Sequence, residues 1–272
     1  MARRLEKLSD RVPKLKEMET RNFPVVKSNH LIQKTRFDLT LVEQKLILHV
    51  IQMIEPKDDD FKTYRFSIKD YCKICQISDR SGKNYSIIKS SLKKISDKSF
   101  WMEQEDGTEV LMRWIDKVVI DHKKDIIDIK LDKDLKPHLL QLKQFFTKYN
   151  YLYVMTMKSQ YSIRLYEILK SYENVQGIIY EVDELRKVLN LDDDTLPRWV
   201  DFKRFVIEQA IKEINKLTDI TITYDTIKKG RSVFEVVFNI KSKSETQKII
   251  SQRLIERTLD KKNKDNDDDT PY

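Results

Sequence analysis

Apolar residues of one segment recur further along this chain at a constant spacing of 114 positions, as in Phe66 and Tyr180 (180 minus 66). The spacing holds without a gap for Phe66, Ile68, Tyr71, Ile74, Cys75 and Ile77 against Tyr180, Val182, Leu185, Val188, Leu189 and Leu191. It continues for Ile88 and Leu92 against Phe202 and Val206. The repeat indicates a duplicated domain.

Apolar periodicity predicts the elements of the first copy. A helix covers the run from Thr40 to Ile54, a short strand covers residues 64–66, and Ser67 is expected to cap a helix that reaches Cys75. A third helix is predicted from about Gly82 to Lys98. A hairpin of residues 100–102 and 110–114 then closes this copy, and residues 125–131 offer a further strand.

The second copy repeats this order. A helix from Ser159 to about Glu173 opens it, and a hairpin of residues 220–224 and 233–238, turning at Lys229-Gly230, closes it. Three helices closed by a hairpin form the winged helix-turn-helix layout, in which the last helix enters the major groove and the hairpin reaches the adjacent backbone. The predicted fold is therefore α+β, with two tandem winged-helix domains that arose by internal duplication.

The predicted domain boundaries follow from the same order. Residues 29–136 form the first winged-helix domain and residues 158–240 the second. Residues 137–157 are rich in aromatic side chains and poor in glycine and serine, which predicts a packed connector and not a flexible tether. Residues 1–28 are interpreted as a partly disordered N-terminal extension. Residues 241–272 are interpreted as a tail that begins as a helix and ends in a disordered acidic run.

The charge of the chain favours a polyanionic partner. Lys and Arg outnumber Asp and Glu by 52 to 44, which gives a formal net charge of +8. The alternative is a soluble protein that is merely basic. The first residues contain no apolar run of signal-peptide length, and no stretch approaches the ~20 apolar residues of a membrane helix. A cytoplasmic protein without membrane contact is expected.

The helix from Gly82 carries a basic face. Tyr85, Ile88, Leu92 and Ile95 share one side of the helical wheel, and the opposite arc holds Lys83, Ser86, Lys89, Ser90, Lys93 and Lys94. The lysines are expected to bind phosphates whatever the base sequence, whereas Asn84, Ser86 and Ser90 are able to read base edges. The alternative is a solvated helix face without a ligand.

The corresponding helix of the second copy is also basic. Pro197 suits a first helical turn, and Phe202, Val206, Ala210, Ile214 and Leu217 form the apolar stripe. Arg198, Lys203 and Arg204 cluster at the N-terminal end, which contacts bases in this motif. Lys228, Lys229 and Arg231 lie at the turn of the closing hairpin, where they are expected to hold the DNA backbone. Because arginine can bond both guanine acceptors, Arg198 and Arg204 are the predicted sequence readers.

The sequence lacks the motifs of several catalytic classes. His30, His49, His122 and His138 form no closely spaced pair for the metal of a rolling-circle nicking enzyme, and no glycine belongs to the phosphate loop of an ATP-driven helicase. Cys72-Lys-Ile-Cys75 has the spacing of half a zinc site, but no second pair is present. The repeat instead places Cys75 in the core and Cys72 on the exposed side. We predict no catalytic residue, metal or cofactor, and a protein that is not an enzyme.

Several motifs together resemble one family. They are Asn29-His-Leu-Ile, Tyr161-Ser-Ile-Arg-Leu-Tyr-Glu-Ile-Leu-Lys-Ser-Tyr172, Asp183-Glu-Leu-Arg-Lys-Val-Leu189, Asp201-Phe-Lys-Arg-Phe-Val206, Lys212-Glu-Ile-Asn215 and Lys229-Gly-Arg231. From Asn29 to about Ile240 the chain resembles the replication initiators of theta-replicating plasmids, the Rep family built from two winged helices.

The resemblance implies a protein that binds repeated origin sequences (iterons) in double-stranded DNA as a monomer, helps to melt the adjacent DNA and recruits host replication proteins. It also implies a homodimer, in equilibrium with the monomer, that represses the protein's own gene. Two alternatives stay open. One is a two-domain winged-helix transcriptional repressor without initiator activity, and the other is a winged-helix protein whose partners are proteins.

Overall fold

Both halves of the chain form the same kind of unit in the computed structural model, which describes residues 24–36, 38–74, 84–104, 106–121 and 123–267. Each unit combines three helices with a three-stranded antiparallel sheet. The predicted α+β fold with two tandem winged helices is confirmed. Within the described ranges, no helix is both long enough and apolar enough to cross a membrane.

The first half supplies the following elements. Its helices are α1 (Asn29–Gln33), α2 (Leu41–Ile51), α3 (Ile68–Ile74) and α4 (Asn84–Asp97). Its strands are β1 (Val25–Ser28), β2 (Tyr64–Ser67), β3 (Ser99–Glu103), β4 (Glu109–Arg113), β5 (Ile115–Asp121) and β6 (Ile126–Leu131). The first unit is made of α2, α3 and α4 with the sheet of β2, β5 and β6.

The remainder of the chain continues in the same manner. Its helices are α5 (Lys136–Leu139), α6 (Tyr151–Met155), α7 (Gln160–Ser171), α8 (Val182–Val188), α9 (Trp199–Phe202), α10 (Gln209–Leu217) and α11 (Glu245–Asp267). Its strands are β7 (Phe146–Tyr149), β8 (Gly177–Glu181), β9 (Ile220–Lys229) and β10 (Ser232–Ser242). A π-helix (Lys203–Glu208) joins α9 to α10, so that the three form one continuous helix.

The two sheets repeat one strand order, β2-β6-β5 in the first unit and β8-β10-β9 in the second. The helices α3 and α8 begin 114 positions apart (182 minus 68) and have the same length. The matched residues Phe66, Tyr71, Ile88 and Leu92 are buried, as are Tyr180, Leu185, Phe202 and Val206. The predicted repeat therefore holds in three dimensions at these positions. Cys75 and Ile77 lie outside the described residues.

Short polar side chains fix where two of the helices begin. The Thr40 hydroxyl accepts a hydrogen bond from the Glu43 N–H (3.4 Å), and the Glu43 carboxylate accepts one from the Thr40 N–H (3.0 Å). This capping box satisfies backbone donors that have no partner inside α2. Ser159 accepts a hydrogen bond from the Tyr161 N–H (3.2 Å) at the start of α7. Both helices thus begin where the sequence predicts.

The hairpin predicted to close the first half is not its wing. Residues 100–102 and 110–113 lie in β3 and β4, which form a separate two-stranded sheet. The strand that corresponds to β9 of the second unit is β5, which we did not predict and which pairs with β6. The register of this pair shifts between Ile115 and Lys117. Such an irregularity interrupts the alternation of apolar and polar residues by which strands are recognised.

The folded part begins before residue 29. Strand β1 pairs with β7 in the middle of the chain, with Val25 opposite Tyr149. Residues 25–28 are therefore not part of a disordered extension, because their backbone groups bond to a strand of the predicted connector. The remainder of the predicted extension, residues 1–23, lies outside the described residues.

The tail forms α11, whose Ile255 and Leu259 are buried. The predicted helix at the start of the tail is present. Because α11 extends to Asp267, the acidic run is helical up to that residue, which differs from the predicted disorder. Residues 268–272 lie outside the described residues.

Helix α7 connects the two halves. Its Arg164 is 4% exposed and donates hydrogen bonds to the carbonyls of Thr35 (2.7 Å) and Val188 (3.2 Å), one in each half. Its Glu167 forms an ion pair with Lys27 of β1 at 2.7 Å. Because buried polar groups need well-placed partners, these bonds fix the two units relative to each other.

Candidate nucleic-acid interface

Helix α4 exposes basic and hydroxyl side chains opposite its buried side. Ile88, Leu92 and Ile95 are at most 2% exposed, and the helix packs against α2 and β5. The exposed residues on the other side are Ser86, Lys89, Ser90, Lys93 and Lys94. The period of the α-helix explains this separation. The structure thus brings these predicted DNA-binding residues together on one accessible face.

Two predicted residues at the start of this helix do not join that face. Asn84 is only 8% exposed, because it lies one turn before the buried Ile88 and shares its side of the helix. The prediction that Asn84 reads base edges is therefore wrong, because its side chain faces the core. Lys83 lies outside the described residues.

The lysines of α4 differ in their surroundings. Lys93 forms an ion pair with Asp97 at 2.5 Å, one turn further along, and both side chains are exposed. Within the described part of the chain, Lys89 and Lys94 have no such partner. A phosphate must therefore compete with Asp97 for Lys93, but with no carboxylate of the described residues for Lys89 or Lys94.

The recognition helix of the second unit runs from α9 through the π-helix into α10. Its predicted apolar stripe is confirmed, since Phe202, Val206, Ala210, Ile214 and Leu217 are all buried. The π-helix was not predicted from the sequence. Within it, the neighbours Arg204 and Phe205 are both exposed, and the next two residues, Val206 and Ile207, are both buried.

The basic residues of this helix are held in different ways. The Arg198 Nε donates to the Asp201 carboxylate at 2.6 Å, which raises the pKa of Arg198. Lys203 lies 3.4 Å from the Glu208 carboxylate, and Tyr224 and Glu208 together raise the pKa of Lys203. Arg204 has no ion pair among the described residues, and its guanidinium carbon lies 5.3 Å from the centre of the Phe205 ring. Among the described residues, Arg204 is therefore the exposed arginine of this helix whose guanidinium is not paired with a carboxylate.

The wing of the second unit is the hairpin of β9 and β10. Lys229 pairs with Ser232 at its end, so Gly230 and Arg231 form the turn, and Gly230 adopts a positive φ of 65° that favours glycine. Lys228, Lys229 and Arg231 are all exposed. The Lys229 ammonium lies 4.9 Å from the centre of the Phe234 ring. The structure thus places the three predicted cations at the tip of the wing.

The first unit also has a basic wing, which was not predicted from the sequence. Lys123 and Lys124 lie in the turn between β5 and β6, Lys117 lies on β5, and all three are exposed. Lys124 is 3.6 Å from Asp121, at the base of the turn. These residues were missed because β5 was not recognised as a strand. The signal was present, since two adjacent lysines between apolar strand-like runs also mark the second wing.

The structure describes one of the two cysteines of the motif, Cys72. Cys72 is 5% exposed, so it is a core residue and not the exposed residue that we predicted. The equivalent Arg186 is also buried, and its guanidinium donates to the carbonyls of Leu196 (3.0 Å) and Thr195 (2.7 Å). Cys75 lies outside the described residues. Within the described ranges, no three His, Cys, Asp or Glu residues form a group that could hold a metal ion.

Two family profiles match this chain. The first, described as Initiator Replication protein, WH1, matches residues 24–170, and the second, described as Initiator Rep protein, WH2, matches residues 181–240. The first profile runs from the residue before β1 through the predicted connector into α7.

Curated relatives from Escherichia coli are similar over part of their length. The chain is 25% identical to a Replication initiation protein over 230 residues, which covers 79% of this chain and 69% of that protein. It is 31% identical to a PI protein over 129 residues, which covers 41% of this chain and 42% of that protein.

A solved structure of the Pi initiator protein in complex with iteron DNA has a similar fold. Its TM-score is 0.66 at 19% sequence identity, and the match covers 83% of this chain and 99% of that chain. This likeness supports the arrangement of the two winged helices.

Proposed function

The chain belongs to the initiator replication protein family, the plasmid initiators with two winged helices, and on this basis we propose that it binds repeated origin sequences (iterons) in double-stranded DNA. One observation carries the proposal for this particular chain. Each unit exposes basic side chains both on its third helix and on its wing, the two parts of a winged helix that contact DNA. A similar initiator is known in complex with iteron DNA, which supports the same ligand here.

In the proposed complex, the two recognition helices enter successive stretches of the major groove. Lys89, Lys93 and Lys94 of α4 neutralise phosphates, and Ser86 and Ser90 face the base edges. In the second unit, Arg204 reads bases, while Arg198 and Lys203 first have to leave their carboxylate partners. Lysines and arginines of the two wings hold the backbone beside each groove.

The buried contacts of α7 bear on the spacing between the two recognition helices. Because Arg164 and Glu167 tie the two units together, the distance between the recognition helices is set by the protein. A rigid spacing selects two half-sites at a matching separation along the DNA. This supports recognition of one extended repeat by one chain.

The further steps of initiation are part of the proposal. We propose that binding helps to open the adjacent DNA, that the bound protein recruits host replication proteins, and that a dimer represses the protein's own gene. Family membership supports these steps. They require no catalytic residue and no cofactor of the chain, because binding energy and recruitment are sufficient for them. The proposed site of action is the bacterial cytoplasm.

Binding to DNA is tested by a salt series. The whole chain is titrated with a directly repeated origin segment and with scrambled duplex of equal length, since the slope of log K against log salt is about −0.9 for each phosphate neutralised on B-DNA. We expect strong preference for the repeats with a steep slope. Equal and weak binding to both duplexes would refute the proposal.

A two-domain winged-helix repressor is the alternative that shares the same DNA-binding surface. The two functions separate in an assay in which a plasmid carries the origin repeats and the chain is supplied from another replicon. An initiator maintains the plasmid. A repressor binds the repeats and silences a reporter, but the plasmid is lost.

A further inference from the structure

The second recognition helix exposes two large apolar side chains. Val200 is 68% exposed and Phe205 is 51% exposed, so neither side chain belongs to the buried stripe of this helix. A single exposed apolar residue is ordinary on a protein surface. Phe205, however, adjoins Arg204 on the face that the proposed function directs at the bases, and the guanidinium contacts its ring. An aromatic ring at this position has a specific counterpart in the major groove.

That counterpart is the C5 methyl group of thymine, the apolar group that a base pair presents in the major groove. Guanine presents two acceptors, O6 and N7, which match the fork of an arginine. We propose that Arg204 and Phe205 act as one unit that reads a thymine next to a guanine. Arg204 bonds the guanine, and the Phe205 ring packs against the neighbouring thymine methyl. This inference rests on the proposed function and adds the base step that the site contains.

The surroundings of Arg204 favour it over the other basic residues. Arg198 and Lys203 are bonded to carboxylates of their own helix, at 2.6 Å and 3.4 Å. In the part of the chain that the structure describes, Arg204 contacts an aromatic ring in place of a carboxylate. Stacking of a guanidinium on a ring orients its plane and leaves its N–H donors at the edge. The donors are thus available for a base while the ring lies alongside.

The π-helix accounts for the juxtaposition of two neighbouring residues. Successive side chains of a π-helix point in more similar directions than those of an α-helix, because each turn contains more residues. Arg204 and Phe205 lie inside this segment and are both exposed. π-Helical turns are often found at functional sites for such reasons.

The test removes only the C5 methyl group of thymine from the DNA. The full-length chain first selects its preferred site from a library of random duplexes, and each thymine of that site is then replaced by deoxyuridine. At one thymine beside a guanine, we expect affinity to fall about 4-fold, which corresponds to the roughly 0.8 kcal/mol of one buried methylene-sized group. In Phe205→Ala, the same replacement should change affinity by less than about 1.5-fold, because the group that contacts the methyl is gone.

Two further variants control the experiment. Phe205→Leu keeps an apolar side chain and should retain the sensitivity to deoxyuridine. Ile179→Ala removes a similarly exposed apolar side chain (53%) from β8 and should behave as the wild type. Equal sensitivity in wild type and Phe205→Ala, or a selected site without a sensitive thymine, would overturn the inference while DNA binding stands. If the chain selects no preferred duplex, the proposed function fails and this inference fails with it.

Discussion

The Lys27 ammonium and the Glu167 carboxylate lie 2.7 Å apart, and their side chains are 2% and 3% exposed. The Tyr149 hydroxyl donates a further hydrogen bond to Glu167. Burial lowers the pKa of Lys27, and the neighbouring Glu167 partly opposes this effect. One charge pair thus connects β1 and β7 to the helix that opens the second unit.

We expect Glu167→Gln to reduce the free energy of unfolding by about 3–5 kcal/mol, because the Lys27 charge would stay buried without its partner. The double variant Lys27→Met, Glu167→Gln should recover much of this loss. Urea denaturation of the two single variants and the double variant measures the coupling. Lys248→Met, at an exposed pair with Glu245, is the control and should cost at most about 1 kcal/mol. Additive losses in the double variant would contradict the prediction.

The buried His49 makes the free energy of unfolding depend on pH. Burial lowers the pKa of His49 from 6.5 to about 4, and its Nδ1 lies 2.7 Å from the Tyr151 hydroxyl. Between pH 6.5 and 4, the unfolded chain binds a proton that the folded chain excludes. The contribution of neutral His49 is therefore complete above pH 6.5 and is lost as the pH falls towards 4, by about 2–3 kcal/mol at pH 4.5.

This pH dependence is checked by urea denaturation at pH 7 and pH 4.5 for the wild type and for His49→Gln. The variant should lose less stability on acidification than the wild type by about that amount. Since burial also lowers the pKa of His138 to about 4, both proteins share the effect of His138 and only the difference reports His49. Identical pH profiles would refute this role of His49.

Arg204 and Arg198 should differ as readers of bases. We expect Arg204→Ala to cost about 1–3 kcal/mol on the preferred site and to relax its preference at one base position. Arg198→Ala should cost less, because Asp201 already bonds the Arg198 Nε. Affinities for a panel of single-base variants of the site measure both effects. A uniform loss across the panel for Arg204→Ala would mean that this residue contacts phosphate.

Lys89 and Lys93 lie on the same face of α4 and should differ in their effect on salt dependence. Lys89→Ala is expected to weaken all sequences about equally and to lower the magnitude of the salt slope by about 0.9. Lys93→Ala should lower it by less, because Asp97 compensates the Lys93 charge. The variant Asp97→Asn provides the check, since it should strengthen binding only when Lys93 is present.

The fold could largely be predicted from the sequence because the patterns that determine its helices are local. The apolar positions of α3 and α8, and the caps Thr40 and Ser159, lie within a few residues of the elements that they determine. The pairing of β1 with β7 joins segments that are far apart in the sequence, so no local pattern predicts it. The irregular register of β5 also concealed its alternation.

The sequence predicted which faces of the two recognition helices are basic and which are buried. It predicted the positions of single residues less well. Over one turn, an α-helix and a π-helix give similar apolar stripes. The sequence therefore did not reveal that Phe205 is exposed beside Arg204, the predicted reader of bases. Asn84 was misplaced because it lies one turn before the buried Ile88 and therefore faces the core. Ion pairs such as Arg198 with Asp201 depend on rotamers that composition does not specify.

The antiparallel pairing of β1 with β7 limits how early the first half can fold during translation. The strand at Val25 leaves the ribosome long before its partner at Tyr149. The first half therefore cannot complete its fold as an early, independent unit during translation, because loop closure must await the middle of the chain. Glu167 follows later still, so the buried charge of Lys27 finds its partner only when the second half has begun to emerge.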